Sequence, residues 1–171
     1  MTPLLYHDVD GVLFGEYGPR QTHQLRPGVS DWLHWVLARY QLVFLTSWPQ
    51  ADLFDLLNSL YLQDVISACR YLPWTSVGIP FKWDALQQDQ SQHPSPYFWI
   101  DDDPTVFPTL NEQRRHYNRL PFLHVNPTGE RQLEDLMQRL NARTAQLTQL
   151  VAPLAHPTDP DLVTTRRTHA I

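Results

Sequence analysis

Apolar residues along this chain fall into two alternating kinds of segment. Short apolar runs at residues 4–6, 42–45 and 97–100, and at 122–125 with only His124 interrupting, have the length and texture of strands buried on both faces. Between them, apolar residues recur at spacings of three and four. Val29, Trp32, Leu33, Val36 and Leu37 do so after Pro27-Gly28, which reads as a helix start. Leu53, Phe54, Leu57 and Leu60 line one face of a helix over residues 50–62. Further helices are expected from about Lys82, around residues 109–118, and over residues 130–150, where Leu133, Leu136, Met137, Leu140 and Leu147 repeat. Val65-Ile66 reads as a short third strand, and residues 69–80 as irregular.

Strands that are continuously apolar and alternate with helices imply a parallel sheet covered on both faces. Right-handed crossovers then give an α/β, doubly wound, Rossmann-like three-layer sandwich with a mostly parallel sheet. Residues 1–150 read as one domain. Residues 151–171, with Pro153, Pro157 and Pro160 among polar residues, read as a flexible tail.

Composition narrows the function classes. The formal net charge is −5, so no overall basic field draws the chain to nucleic acid or an anionic membrane. The apolar runs are too short to span a bilayer, and no signal peptide is evident, so no membrane partner is expected. The single cysteine, Cys69, excludes an internal disulfide and a cysteine-based zinc site, which fits a cytoplasmic home. The eight histidines are scattered and form no zinc signature. The chain has twelve arginines and one lysine, Lys82.

Ligands of doubly wound sheets bind beyond the carboxyl ends of the strands. The first strand leads into His7-Asp8-Val9-Asp10-Gly11, the second into Thr46 and Ser47, and the fourth into Asp101, Asp102 and Asp103. Lys82 stands at a helix start, where a cation faces the positive end of the helix dipole. Carboxylates converging on one point repel each other and need a cation, and an all-oxygen donor set suits Mg2+. A hydroxyl and an ammonium would then hold a phosphate, and Gly11 permits a tight turn beside it. Blander readings stand beside these. Asp8 and Asp10 could end a strand in a turn, Thr46 could cap a helix, and residues 101–103 could form a solvated acidic turn. Trp48 and Trp83 could wall the site or pack in the core. Arg114, Arg115, His116 and Arg119 form a basic cluster that could meet a polyanion or face solvent.

DxDG, then a strand ending in Thr, then Lys, then a strand ending in DD, taken in order, resembles the haloacid dehalogenase superfamily over residues 3–145. The resemblance implies a phosphatase, a hydrolase of phosphoric monoesters. Asp8 would be the nucleophile that forms an aspartyl-phosphate. Asp10 would be the general acid and base. Thr46 would bond a phosphoryl oxygen and Lys82 would offset charge. Ser47 and Gly11 complete the expected substrate contacts. Asp8, Asp101, Asp102 and the backbone carbonyl of Asp10 would hold Mg2+, with Asp103 a rival for Asp102. His7 departs from the family's apolar strand residue. The gaps from Asp10 to Thr46 and from Thr46 to Lys82 leave no room for a large cap domain. At most residues 14–26 form a small flap. By analogy such a site suits a large substrate, a phosphoprotein or a nucleic-acid end. The oligomeric state is left open. Two rivals are a phospho-accepting receiver domain, whose motif order differs, and a non-catalytic binding module of the same shape.

Overall fold

The computed structural model describes residues 2–17, 22–74, 81–103, 122–129 and 131–151. The elements in chain order are β1 (Leu4–His7), β2 (Phe14–Tyr17), β3 (Thr22–Leu25), α1 (Val29–Leu37), β4 (Gln41–Thr46), α2 (Gln50–Ser59), α3 (Gln63–Ala68), β5 (Arg70–Pro73), α4 (Lys82–Gln92), β6 (Tyr97–Asp101), β7 (Phe122–His124) and α5 (Gln132–Val151). Five strands form one parallel sheet in the order β5-β4-β1-β6-β7. The expected doubly wound α/β class is what the chain adopts. From β1 the chain winds outward through β4 to β5, then returns to the other side of β1 for β6 and β7. The reversal beside β1 opens the crevice in which ligands of such sheets bind.

The strands alternate their side chains between two cores. Leu5, Leu42, Phe44, Phe98, Ile100 and Leu123 face the layer built by α1, α2, α3 and α5. Leu4, Tyr6, Val43, Leu45, Trp99 and Phe122 face α4 through Ala85 and Leu86. The second core also buries polar groups. The Tyr6 hydroxyl donates to Asp89 Oδ2 at 2.6 Å, Gln90 donates to Tyr6 at 2.9 Å, and Arg70 pairs with Asp89. This network ties the edge strand β5 and helix α4 to the central strand.

Three boundaries differ from the sequence expectation. Val65 and Ile66 lie in helix α3 rather than a strand. Two adjacent apolar residues carry no period, and Val65 alone is buried. The third strand of the sheet falls instead in the stretch read as irregular, at Arg70–Pro73. It is half-buried throughout and ends in proline, as an edge strand can. The helix expected over residues 50–62 is α2, which already ends at Ser59, and α3 begins only at Gln63. They part where Tyr61, 85% exposed, takes a left-handed φ of 60°. The expected helix at 109–118, the basic cluster Arg114, Arg115, His116 and Arg119, and residues 152–171 lie outside the described residues.

The expected flap is a separate antiparallel hairpin, β2–β3. It is anchored by Arg26, which is 2% exposed. The Arg26 guanidinium donates to the carbonyls of Val12, Gly11, Asn126 and Pro127 at 2.9–3.2 Å, and to that of Gly129. One side chain thereby joins the turn after β1, the end of the hairpin and the loop between β7 and α5. Gly15 belongs to the same arrangement, because a Cβ there would sit 2.6 Å from the guanidinium. Arg26→Ala leaves several buried carbonyls without a donor. A loss of about 3 kcal/mol in urea unfolding is expected.

Candidate functional site

Asp8 is the first residue beyond β1. The β1–β6 register pairs His7 with Ile100, and the Asp8 amide donates to the Ile100 carbonyl at 3.1 Å. That pairing sets Asp8 level with Asp101, the last residue of β6. Both carboxylates are buried. Lys82 opens α4 and reaches between them. Its ammonium lies 2.7 Å from Asp8 Oδ2 and 2.9 Å from Asp101 Oδ2. The second oxygen of Asp101 accepts the Asp103 amide at 3.0 Å.

Asp102 completes the cluster. Oxygens of Asp8, Asp101 and Asp102 all lie within 4.8 Å of one another. Asp102 approaches closely because Gly11 has no side chain. A Cβ on Gly11 would stand 1.9 Å from the Asp102 carboxyl carbon, and Gly11 has φ +66°. Only glycine meets both demands without strain. His124 donates from Nε2 to the Asp102 carbonyl at 2.9 Å and so steadies the same turn. Of the two candidates left open by the sequence, Asp102 joins the cluster and Asp103 does not.

Three carboxylates meet one ammonium, so negative charge is in excess. Burial raises the Asp8 pKa to about 8, with Asp101 adding to the rise and Lys82 opposing it. Burial likewise raises Asp101 against the pull of Lys82. Asp102 rises to about 6, through burial and the neighbouring Asp101. Burial alone would lower Lys82, but attraction to Asp101 and Asp8 and hydrogen bonds to both hold it above its ordinary value. Such a site gains from a second cation. Three hard oxygen donors within one small space, two of them buried, fit Mg2+. Asp8, Asp101 and Asp102 would hold it. The Asp10 carboxylate is not part of that cluster.

Asp10 is half-exposed and turns the other way. Its Oδ2 accepts a hydrogen bond from Trp48 Nε1 at 2.8 Å, and its Oδ1 lies 3.5 Å from His23 Nε2 on the hairpin. Thr46 is buried at the end of β4, where its hydroxyl accepts the Trp48 amide at 3.2 Å. It caps no helix, since α2 begins after Pro49. Ser47 is exposed in the loop that follows. Trp83 stacks on Trp99 at 6.1 Å and packs with the second core, while Trp48 bonds Asp10.

His7 has a reason to stand where an apolar residue is expected. Trp32 Nε1 donates to His7 Nε2 at 2.8 Å, and an indole nitrogen can only donate. His7 Nε2 is therefore the acceptor, and Nδ1 carries the proton that bonds the Asp8 carbonyl. Burial lowers the His7 pKa to about 4 against that backbone bond, which keeps the ring neutral. The backbone of the central aspartate is thus held from the core side.

Two solved structures are similar to this chain at low identity. One is a haloacid dehalogenase-like hydrolase from Streptococcus pneumoniae, with a TM-score of 0.46 and 17% identity over 71% of this chain and 60% of that one. The other is Fcp1, an essential RNA polymerase II CTD phosphatase, with a TM-score of 0.49 and 15% identity over 92% of this chain and 55% of that one. This chain spans less than two thirds of either structure. No protein-family model matches the sequence, and no curated protein does. Among the described residues, no helix is long and apolar enough to cross a membrane.

His23, Arg26 and His124 are partners of the site that the sequence pattern does not announce. Arg26 and His124 carry no spacing signal that separates them from surface residues. His23 alternates with Leu25, which marks a strand but not what the strand faces.

Two outcomes follow. A raised folded pKa means that Asp8 stabilises the fold fully at acid pH, and that this contribution is lost as pH climbs through about 8. In chelator, Asp8→Asn is therefore expected to melt ~3 °C above the parent at pH 8, with the gap narrowing as pH falls and closing only near pH 4. Gly11→Ala is expected to fold but to weaken Mg2+ binding by about tenfold in calorimetric titration, because Asp102 must leave its place.

Proposed function

We propose that this chain is a magnesium-dependent phosphomonoester hydrolase of the haloacid dehalogenase type, working through an aspartyl-phosphate on Asp8. One observation carries the reading. A buried ammonium, Lys82, bridges two buried carboxylates at the reversal point of a parallel sheet, and a third carboxylate lies within 4.8 Å of both. Such a grouping suits a phosphoryl group and its metal ion better than it suits a structural core, where removing so much charge from water is costly.

Bound Mg2+ would supply positive charge against the phosphoryl oxygens and lower the cost of keeping Asp8 ionised. The Asp8 carboxylate attacks phosphorus, the bond from phosphorus to the ester oxygen breaks, and Asp10 gives its proton to the departing oxygen. Asp10 then takes a proton from water as that oxygen attacks phosphorus, which frees Asp8 and releases phosphate. Lys82 holds the Asp8 carboxylate in place and opposes the growing negative charge. Thr46, at the end of the adjacent strand, offers its hydroxyl to a phosphoryl oxygen, with Ser47 beside it.

The insertion between β1 and β4 is a two-stranded hairpin rather than a cap domain. This supports a large substrate, a phosphorylated protein side chain or a nucleic-acid end, handled in the cytoplasm.

Phosphate release from aryl phosphates, phosphopeptides and end-phosphorylated oligonucleotides, with Mg2+ and with EDTA, tests the reading. Turnover is expected only with Mg2+. Asp8→Asn and Asp10→Asn should each lower kcat by about 10³-fold, and Lys82→Gln by about 10²-fold. Full activity in Asp8→Asn would exclude the aspartyl-phosphate. No release from any member of the panel would leave a binding module as the better description.

A further inference from the structure

Asp10 sits in a clamp built from two separate loops. Trp48, in the β4–α2 loop, donates from Nε1 to Oδ2 at 2.8 Å. His23, on β3 of the hairpin, brings Nε2 to 3.5 Å from Oδ1. Phe14, on β2, lies between the two rings. It stacks on His23 with centroids 5.0 Å apart and planes 5° apart, and on Trp48 at 5.4 Å and 29°. The hairpin register makes the first contact possible. Phe14 pairs with Leu25, so His23 is its diagonal neighbour on the same face. Trp48 is itself fixed at both backbone groups. Its amide donates to the Thr46 hydroxyl at 3.2 Å, and its carbonyl accepts the Tyr71 hydroxyl at 2.6 Å.

We propose that Trp48 and His23, locked together through Phe14, are positioning residues that hold the Asp10 carboxylate in one rotamer for proton transfer to the leaving group. The proposal takes the role of Asp10 from the phosphatase reading and the clamp from the geometry alone. An indole N–H can only donate, so Oδ2 remains an acceptor whether or not the carboxyl is protonated. Oδ2 is thereby fixed on Trp48 and Oδ1 beside the hairpin, which orients the carboxyl that hands its proton to the leaving group. A freely turning carboxyl on a half-exposed loop would present that proton only part of the time. The hairpin thus acts as a support for the acid and couples whatever touches it to the orientation of Asp10.

The test separates acid positioning from mere support of the fold. Trp48→Phe and His23→Phe keep an aromatic ring and remove the nitrogen. Steady-state kinetics are measured with Mg2+ on phosphomonoesters whose leaving groups run from nitrophenolate to a simple alkoxide. The alkoxide needs a proton to depart and the nitrophenolate hardly does. The expected result is a fall in kcat about tenfold larger for the alkyl ester than for the nitrophenyl ester, with KM unchanged. An equal loss across the series would overturn the positioning role. The second readout needs no turnover. The indole N–H resonance of Trp48 is followed by NMR in Asp10→Ala, His23→Phe and Phe14→Leu. It should move in all three, while that of Trp32, bonded to His7, stays in place. An unmoved Trp48 resonance would overturn the clamp. A parent protein that turns over no phosphomonoester would end the phosphatase reading, and the indole resonance would still decide the clamp.

Discussion

One buried ammonium makes the rest of this site possible. Asp8 and Asp101 leave neighbouring strands at the same level, and the sheet offers neither any water to spread its charge. Two such carboxylates side by side would strain the centre of the fold. Lys82 answers both at once, from the first turn of a helix on one face of the sheet. An arginine's broad planar fork is less suited to the narrow space between two carboxylates. The cost of opening a helix with a cation is small beside the attraction of two anions. The choice of lysine in a chain otherwise devoted to arginine follows from that geometry.

The backbone around this centre is restrained from several sides. The neutral His7 ring links Trp32 of α1 to the carbonyl of Asp8. Arg26 takes the carbonyl of Gly11 and binds it to the loop after β7. His124 takes the carbonyl of Asp102. Each contact ends on a main-chain oxygen, so each sets where the chain runs and leaves the carboxylates to the ligand. The surrounding shell is made of side chains that carry no chemistry of their own, which is why it does not advertise itself as a site.

How much was legible in the sequence follows from this division. Asp8 and Asp101, each closing an apolar strand, and the solitary Lys82 at a helix start announce themselves one at a time. Their order along the chain is enough to bring them to one edge of a parallel sheet. Arg26, His23 and His124 act through a register or a loop crossing that local pattern does not contain. Helix α3 and strand β5 were misplaced for a related reason. A pair of apolar residues has no period, and a half-buried edge strand ending in proline does not look like the continuous apolar strands at the centre. The early end of α2, before Tyr61, rests on a left-handed residue that no glycine marks.

The position of β1 has a consequence for how the protein is made. It is the middle strand of the sheet and the earliest to be synthesised. Both of its hydrogen-bonding neighbours come later, and β6 only after α1, β4, α2, α3, β5 and α4. A nascent chain can therefore pair β1 with β4 early, while the edge that β6 will take stays open through α2, α3, β5 and α4. During that time Asp8 stays in water, where ionisation costs nothing. It is desolvated only when Asp101 leaves the ribosome, after Lys82 has already emerged to balance the pair. The order of synthesis supplies the cation before the burial that requires it.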